Sequence, residues 1–242
     1  MTLLSVVKDV CADVGVEIPA SVLSGINSNR TMQEMLALAT EMAQRIAYDL
    51  MDWSRLQVMV IPTFTGDGVT TTWTLPSNFK RMLKTAQVWR STSNQQPMRF
   101  ISDPNLWLQR RLLNRSDAWG EWIIFGNQML IWPAMGVGTT ATFVYLDKNC
   151  IALSPGGVGP AFMNDEDTFL LDERLLKLGM IWQWKAKKGS PYAEDMGTFS
   201  DALAIAMGND RPSPTILGRT PISANARVAY PFEIVGPPWP LS

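Results

Sequence analysis

Apolar side chains change their spacing twice along this sequence, and the two changes restrict the fold more than any other feature. As far as residue 51 they recur every three to four positions, as on one face of a helix. From Leu56 to Leu146 they come in short runs of β-branched and aromatic residues separated by turn formers, the pattern of strands. From near Asp167 to Met207 the helical spacing returns. A strand turns every second side chain to one face and a helix every third or fourth, so one spacing cannot serve both. The fold class expected is α+β: a helical bundle with an inserted antiparallel β region and an extended Pro-rich C-terminal arm. The boundaries read as 1–54 for the N-terminal helices, 55–160 for a β-rich insert with one helix, 161–208 for a closing helix hairpin, and 209–242 for the arm.

Local signals refine this outline. Leu3, Leu4, Val7, Val10, Cys11 and Val14 form an apolar stripe that ends before Gly15, and Thr31 with Glu34 gives the T-x-x-E pattern of a helix start. The second helix is expected over about 30–51, with Glu41, Arg45 and Asp49 on its outer face. Strands are expected at 56–61, 69–75 and 84–90, and a hairpin at Trp122 to Trp132 turning on Gly126 and Asn127, with 139–146 as its partner. Asp103 and Pro104 are placed to cap and open a helix reaching Leu113. Leu171, Leu175, Leu178 and Trp182 line a later helix that Gly189 can close, and Tyr192, Met196, Phe199, Leu203 and Met207 give the next one its stripe. Beyond it Pro212, Pro214, Pro221, Pro231, Pro237, Pro238 and Pro240 exclude helix and central strand.

Composition closes off much chemistry. The 242 residues, 46% of them hydrophobic, can bury one substantial core. No run is apolar for long enough to span a bilayer and the first residues lack the features of a secretory signal, so the chain is expected to remain in the cytoplasm where it is made. The sequence contains no histidine, which removes the usual acid/base near neutral pH and the commonest zinc ligand. Cys11 and Cys150 match no metal-ligand spacing and read as buried thiols. A net charge of -1 gives no drive for sequence-independent DNA binding. Ten tryptophans point to a large core and to contacts between subunits.

The densest acidic cluster, Asp165, Glu166, Asp167, Asp172 and Glu173, has the donors for Mg²⁺ or a carboxylate pair. Its place ahead of a helix favours capping and dipole compensation instead, and no catalytic, cofactor-binding or metal residue is assigned. Gly156, Gly157 and Gly159 lack the Lys and Ser/Thr of a phosphate loop and form a connector. Arg174, Lys177, Lys185, Lys187 and Lys188 make a mildly basic helix whose simplest reading is a solvated face.

The run LLDERLLKLGMIWQWKAKKGSPYAEDMGTF, supported by TLLSVVKDVCADVG, LPSNFKRM, GNQMLIWP and ATFVYLDKN, resembles the head-to-tail adaptor proteins of tailed bacteriophages, also called connector or head completion proteins. The resemblance covers roughly residues 3–208. It implies a non-enzymatic structural virion protein at the head-tail junction, assembled in the host cytoplasm as a dodecameric ring. Its partners would be the portal ring and a tail or nozzle protein, with DNA passing through the channel without specific binding and no membrane involved. Pro191 and the stretch from Met196 to Thr198 depart from the pattern, so interface contacts are not carried over. The arm's Tyr230, Phe232, Ile234, Val235 and Trp239 are the expected partner-binding residues, large apolar groups that an extended segment offers to a groove. The competing readings are another tail-tube or tail-completion protein and a cell-wall hydrolase using Glu166 or Glu173.

Overall fold

The computed structural model describes residues 1–24, 29–92 and 96–210. Its helices are α1 (Leu3–Val14), α2 (Arg30–Arg45), α3 (Pro104–Leu112), α4 (Glu173–Lys188) and α5 (Ala193–Asp210). Its strands are β1 (Gln57–Thr65), β2 (Thr72–Thr74), β3 (Phe79–Met82), β4 (Trp89–Arg90), β5 (Arg99–Phe100), β6 (Glu121–Phe125), β7 (Gln128–Trp132), β8 (Thr140–Asp147), β9 (Ile151–Ala152), β10 (Val158–Gly159) and β11 (Thr168–Phe169). The mixed α+β class follows, with the β elements lying between α2 and α4 and enclosing α3. The arm from residue 211 onward lies outside the described residues, and α5 reaches Asp210, past the expected boundary at 208.

α4 is the centre of the bundle and packs against α1, α2 and α5. With three helical neighbours it buries Leu175, Leu176, Gly179, Met180, Ile181, Gln183 and Trp184, far more than one stripe. Leu178 and Trp182, expected on the buried face, are only half-buried. Gly179 lets the helices approach closely, since a Cβ there would strike the Met42 methyl of α2 and lie 3.3 Å from the Phe199 ring of α5. α5 buries Phe199 and Ala202 while Tyr192 and Met196 of the expected stripe stay exposed.

The T-x-x-E pattern is not used as a cap. Asn29 takes that role, its side chain accepting from Thr31 N at 2.9 Å, and Glu34 instead accepts from Arg30 at 3.0 Å and from Lys188 of α4 at 2.6 Å. α2 gives way at Ile46–Leu50 to a wide π-helical turn, held from below by the Trp53 indole N–H donating to the Ile46 carbonyl at 2.6 Å. Glu41 does not face solvent alone, because Gln183 and Lys187 of α4 donate to it at 3.2 and 3.4 Å, and Arg45 lies 5.7 Å from the Trp182 ring centre.

Two four-stranded sheets make up most of the β region. The first has the order β1-β8-β3 with β4 also on β8, and the second β2-β7-β6-β5. The hairpin β6–β7 forms as its sequence predicts, although only Gly126 takes positive φ, at 61°. Residues 139–146 are not its partner: β8 pairs with β1, β3 and β4. The expected strands 56–61 and 69–75 likewise separate, since β1 joins the first sheet and β2 the second. Between them Asp67 holds the turn by accepting from Val69 N at 2.8 Å, Thr70 N at 2.6 Å and the Thr70 hydroxyl at 2.6 Å. Of the expected strand at 84–90 only Trp89–Arg90 forms, as β4, while Lys84 and Thr85 lie in the turn after β3 that Ala86 N closes on Leu83 O at 3.0 Å.

β8 belongs to two cores. Ala141, Phe143 and Tyr145 point into a cluster with Phe64, Trp73, Val88, Met129 and Ile131, whereas Leu146 enters the bundle core with Cys150 and Ile151. A third, small cluster of Ile101, Trp107 and Ile123 fastens α3 to the second sheet.

Candidate interaction surface

The acidic cluster is built into the backbone. Asp167 is fully buried, and its carboxylate accepts from Ser154 N at 2.8 Å, Met163 N at 2.6 Å and Asn164 N at 2.7 Å. Asp165 takes the Ser21 hydroxyl together with Val22 N at 3.1 Å and Leu23 N at 3.0 Å. Their carbonyls receive Leu3 N and Leu4 N at 2.7 and 3.0 Å, so the loop before α4 also seats the start of α1. Asp172 caps α4 through Arg174 N at 2.8 Å, and Glu173 pairs with the amino group of Met1. Glu166 is exposed. No three acidic or cysteine side chains converge as a metal-binding group among the described residues.

The basic helix is largely answered within the bundle. Lys177 reaches Asp13 at 3.1 Å, Lys185 reaches Asp195 at 2.7 Å, Lys187 reaches Glu41 at 3.4 Å and Lys188 reaches Glu34 at 2.6 Å. Lys188 also lies over the Trp184 ring. Only Arg174 of the five stands on an exposed face without such a pairing among the described residues. Cys11 and Cys150 are both buried, and burial pushes both thiols up from their ordinary value.

What the molecule does offer to a partner is apolar surface around α3. Asp103 caps this helix through Asn105 N at 2.8 Å, and Pro104 occupies its first position. Trp107 goes inward, and buried Glu121 of β6 fixes the outer turn by accepting Arg110 Nε at 2.9 Å and Asp117 N at 3.2 Å. Leu108 and Leu112, one turn apart, point outward, with Leu112 87% exposed and Phe125 of β6 64% exposed. Together with Trp107, Arg111, Ile123 and Leu130 they line a hollow of about 520 Å³, in which Arg111 stacks 4.7 Å from the Trp132 ring centre. A face this apolar marks a contact site more often than a bare surface.

A second groove, of about 710 Å³, runs between the two sheets. One wall is the chain from Phe79 to Gln87, the other Phe100, Ser102, Pro104 and the edge of β6 from Trp122 to Ile124. Lys80, Arg81 and Lys84 make it basic. Sequence reasoning missed both features. Leu108 and Leu112 at i,i+4 did signal an apolar face on α3, but the groove is made by segments far apart in the chain. The expected anchors Tyr230, Phe232, Ile234, Val235 and Trp239 lie outside the described residues. None of the helices among the described residues is long and apolar enough to cross a membrane. Compared with models of known protein families and with curated proteins, the sequence finds no match.

Proposed function

We propose that this protein is a structural virion component, a head-to-tail adaptor that assembles as a dodecameric ring between the portal and the tail of a bacteriophage. The observation that carries the reading is the α4–α5 hairpin. The run with the strongest resemblance, residues 170–199, supplies the central helix of the bundle and the first turns of its partner, and the β region is inserted between α2 and that pair.

Two further features support it. Four of the five acidic residues that would be needed for hydrolysis or metal binding hold backbone, cap α4 or pair with an amino group. Exposed Leu108 and Leu112 of α3 and Phe125 of β6 lie together around one hollow, where a neighbouring subunit, the portal ring or a tail or nozzle protein can cover them. In this role the protein acts by adding surface. The ring lengthens the channel through which DNA passes without specific binding, and it presents a docking face to the tail. The arm residues Tyr230, Phe232, Ile234, Val235 and Trp239 serve as partner anchors.

The direct test is negative-stain imaging of purified portal rings mixed with this protein. A second ring stacked on the portal is the expected result. Portal rings left bare at tens of micromolar protein, with binding to tail tubes instead, would move the protein to a tail-completion role.

A further inference from the structure

We propose that the groove between the two sheets receives residues 232–235 of a second copy of this chain as an added β-strand. The inference rests on the ring reading above and names the contact that would lace the ring together.

Two strand edges open onto the groove. β3 is the outer strand of the first sheet. On the second sheet, β5 covers β6 only at Glu121 and Trp122, and the last bond of that ladder is Ile101 N on the Trp122 carbonyl at 3.0 Å. Outward-facing backbone groups repeat every second residue, so the next pair, Ile124 N–H and C=O, points to an edge with no strand on it among the described residues. Trp122, which is 4% exposed, also lines the groove, and its indole N–H has no partner among the described residues. Open edges of this kind are templates for an extended peptide, whose main chain supplies the hydrogen bonds and whose alternate side chains supply the selectivity.

The lining states what the strand must carry. Phe100, Met82, Leu83 and Ile124 want apolar side chains. Arg81 is held by Asp52 and Lys80 lies over the Tyr48 ring, but Lys84 is exposed on the rim without an acidic partner among the described residues. The occupant is therefore a short strand free of proline in its middle, rich in β-branched or aromatic residues, with one carboxylate. Beyond Asp210 the sequence has a single acidic residue, Glu233, and it sits in Phe232-Glu233-Ile234-Val235, bounded by Pro231 on one side and Gly236-Pro237 on the other. Residues 211–231 can extend by up to about 70 Å, enough to reach an adjoining subunit. In a ring each copy is donor to one neighbour and acceptor from the other, so this head-to-tail contact closes with every groove filled.

The test needs no portal, so its outcome is independent of the adaptor reading. A fluorescent peptide of residues 228–238 is titrated onto the full chain bearing Ile234→Asp, which disables the resident arms. Binding is expected, with at least tenfold loss when backbone N-methyl groups are placed on one alternate pair of residues 232–235 and within twofold change for the other pair. Lys84→Glu should weaken the peptide about threefold to fivefold, the range of an exposed ion pair, and Glu233→Lys in the peptide should restore it. Equal tolerance of all N-methyl positions would overturn strand addition. In the unaltered protein, hydrogen exchange at 121–126 and 230–236 should slow together as concentration rises a hundredfold and sedimentation shows dimers or larger species. Protection independent of concentration in a monomer would overturn the second copy as occupant.

Discussion

Asp167 shows how a carboxylate that resembles chemistry can belong to the backbone. Fully buried itself, it accepts three main-chain N–H groups, and without it those donors lose their partner in a part-buried loop. Asp167→Ala should therefore cost about 2–4 kcal/mol of unfolding free energy, more than a helix-dipole contact can account for. Glu166→Gln, one residue away and exposed, should change stability by less than about 0.5 kcal/mol. Urea denaturation of the two variants checks the contrast, and equal midpoints would remove Asp167 from the scaffold. Asp67 gives a pH-dependent counterpart. The Thr70 hydroxyl and amide and the Val69 amide hold its carboxyl down at about 2, from an ordinary value of 3.8. Because the folded value is the lower one, its hold on the turn is complete above the ordinary value and is lost as pH falls through about 2. Carboxyl-carbon NMR should find the Asp67 midpoint near 2, and Thr70→Val should move it upward.

Elements whose signals are local were legible in the sequence, and those fixed by distant partners were not. The Asp103 cap with Pro104, the Gly126 turn of the β6–β7 hairpin and the Gly189 end of α4 each depend on residues within a few positions, and each is found where expected. The partner of β8 depends on which strand a separate part of the chain delivers, and β1, some eighty residues earlier in the sequence, takes the place expected for the hairpin. α4 misled for a related reason, since a helix surrounded by three others has no single apolar stripe to read. The candidate groove was invisible because its walls, 79–87 and 100–126, meet only in the fold. At this scale Arg110 is the residue to change. It is the side-chain cation bonded to the fully buried Glu121, and Arg110→Met leaves that charge without it. The loss should be about 3 kcal/mol, toward the low end for a buried pair because Arg110 keeps some solvent contact. Hydrogen exchange should locate the effect in α3 and β6, with α1 and α4 little changed.

For the molecule as a whole, the question is whether the bundle and the first sheet are stable separately, and β8 ties them together. Phe143 and Tyr145 pack in the β core while Leu146, the next residue, packs in the bundle core. The same seam carries the Arg81–Asp52 ion pair and the Tyr48 hydroxyl on the Lys148 carbonyl. Separating the two parts would expose Leu146 and break these contacts together, so neither part has a lower-energy state of its own to unfold into first. The expected behaviour is one cooperative transition, with only the small α3 cluster opening below it. Leu146→Ala, which removes about 2–5 kcal/mol at a well-packed site, should lower the stability reported from both sides by the same amount. Fluorine NMR of the protein labelled with 5-fluorotryptophan can read both sides at once, because Trp53 and Trp184 lie in the bundle core and Trp73 and Trp122 in the β core. Their native resonances should disappear at one urea concentration in the unaltered protein and at one lower concentration in Leu146→Ala. Separate midpoints for the two pairs in the unaltered protein would mean that the insert folds by itself and that β8 only touches the bundle.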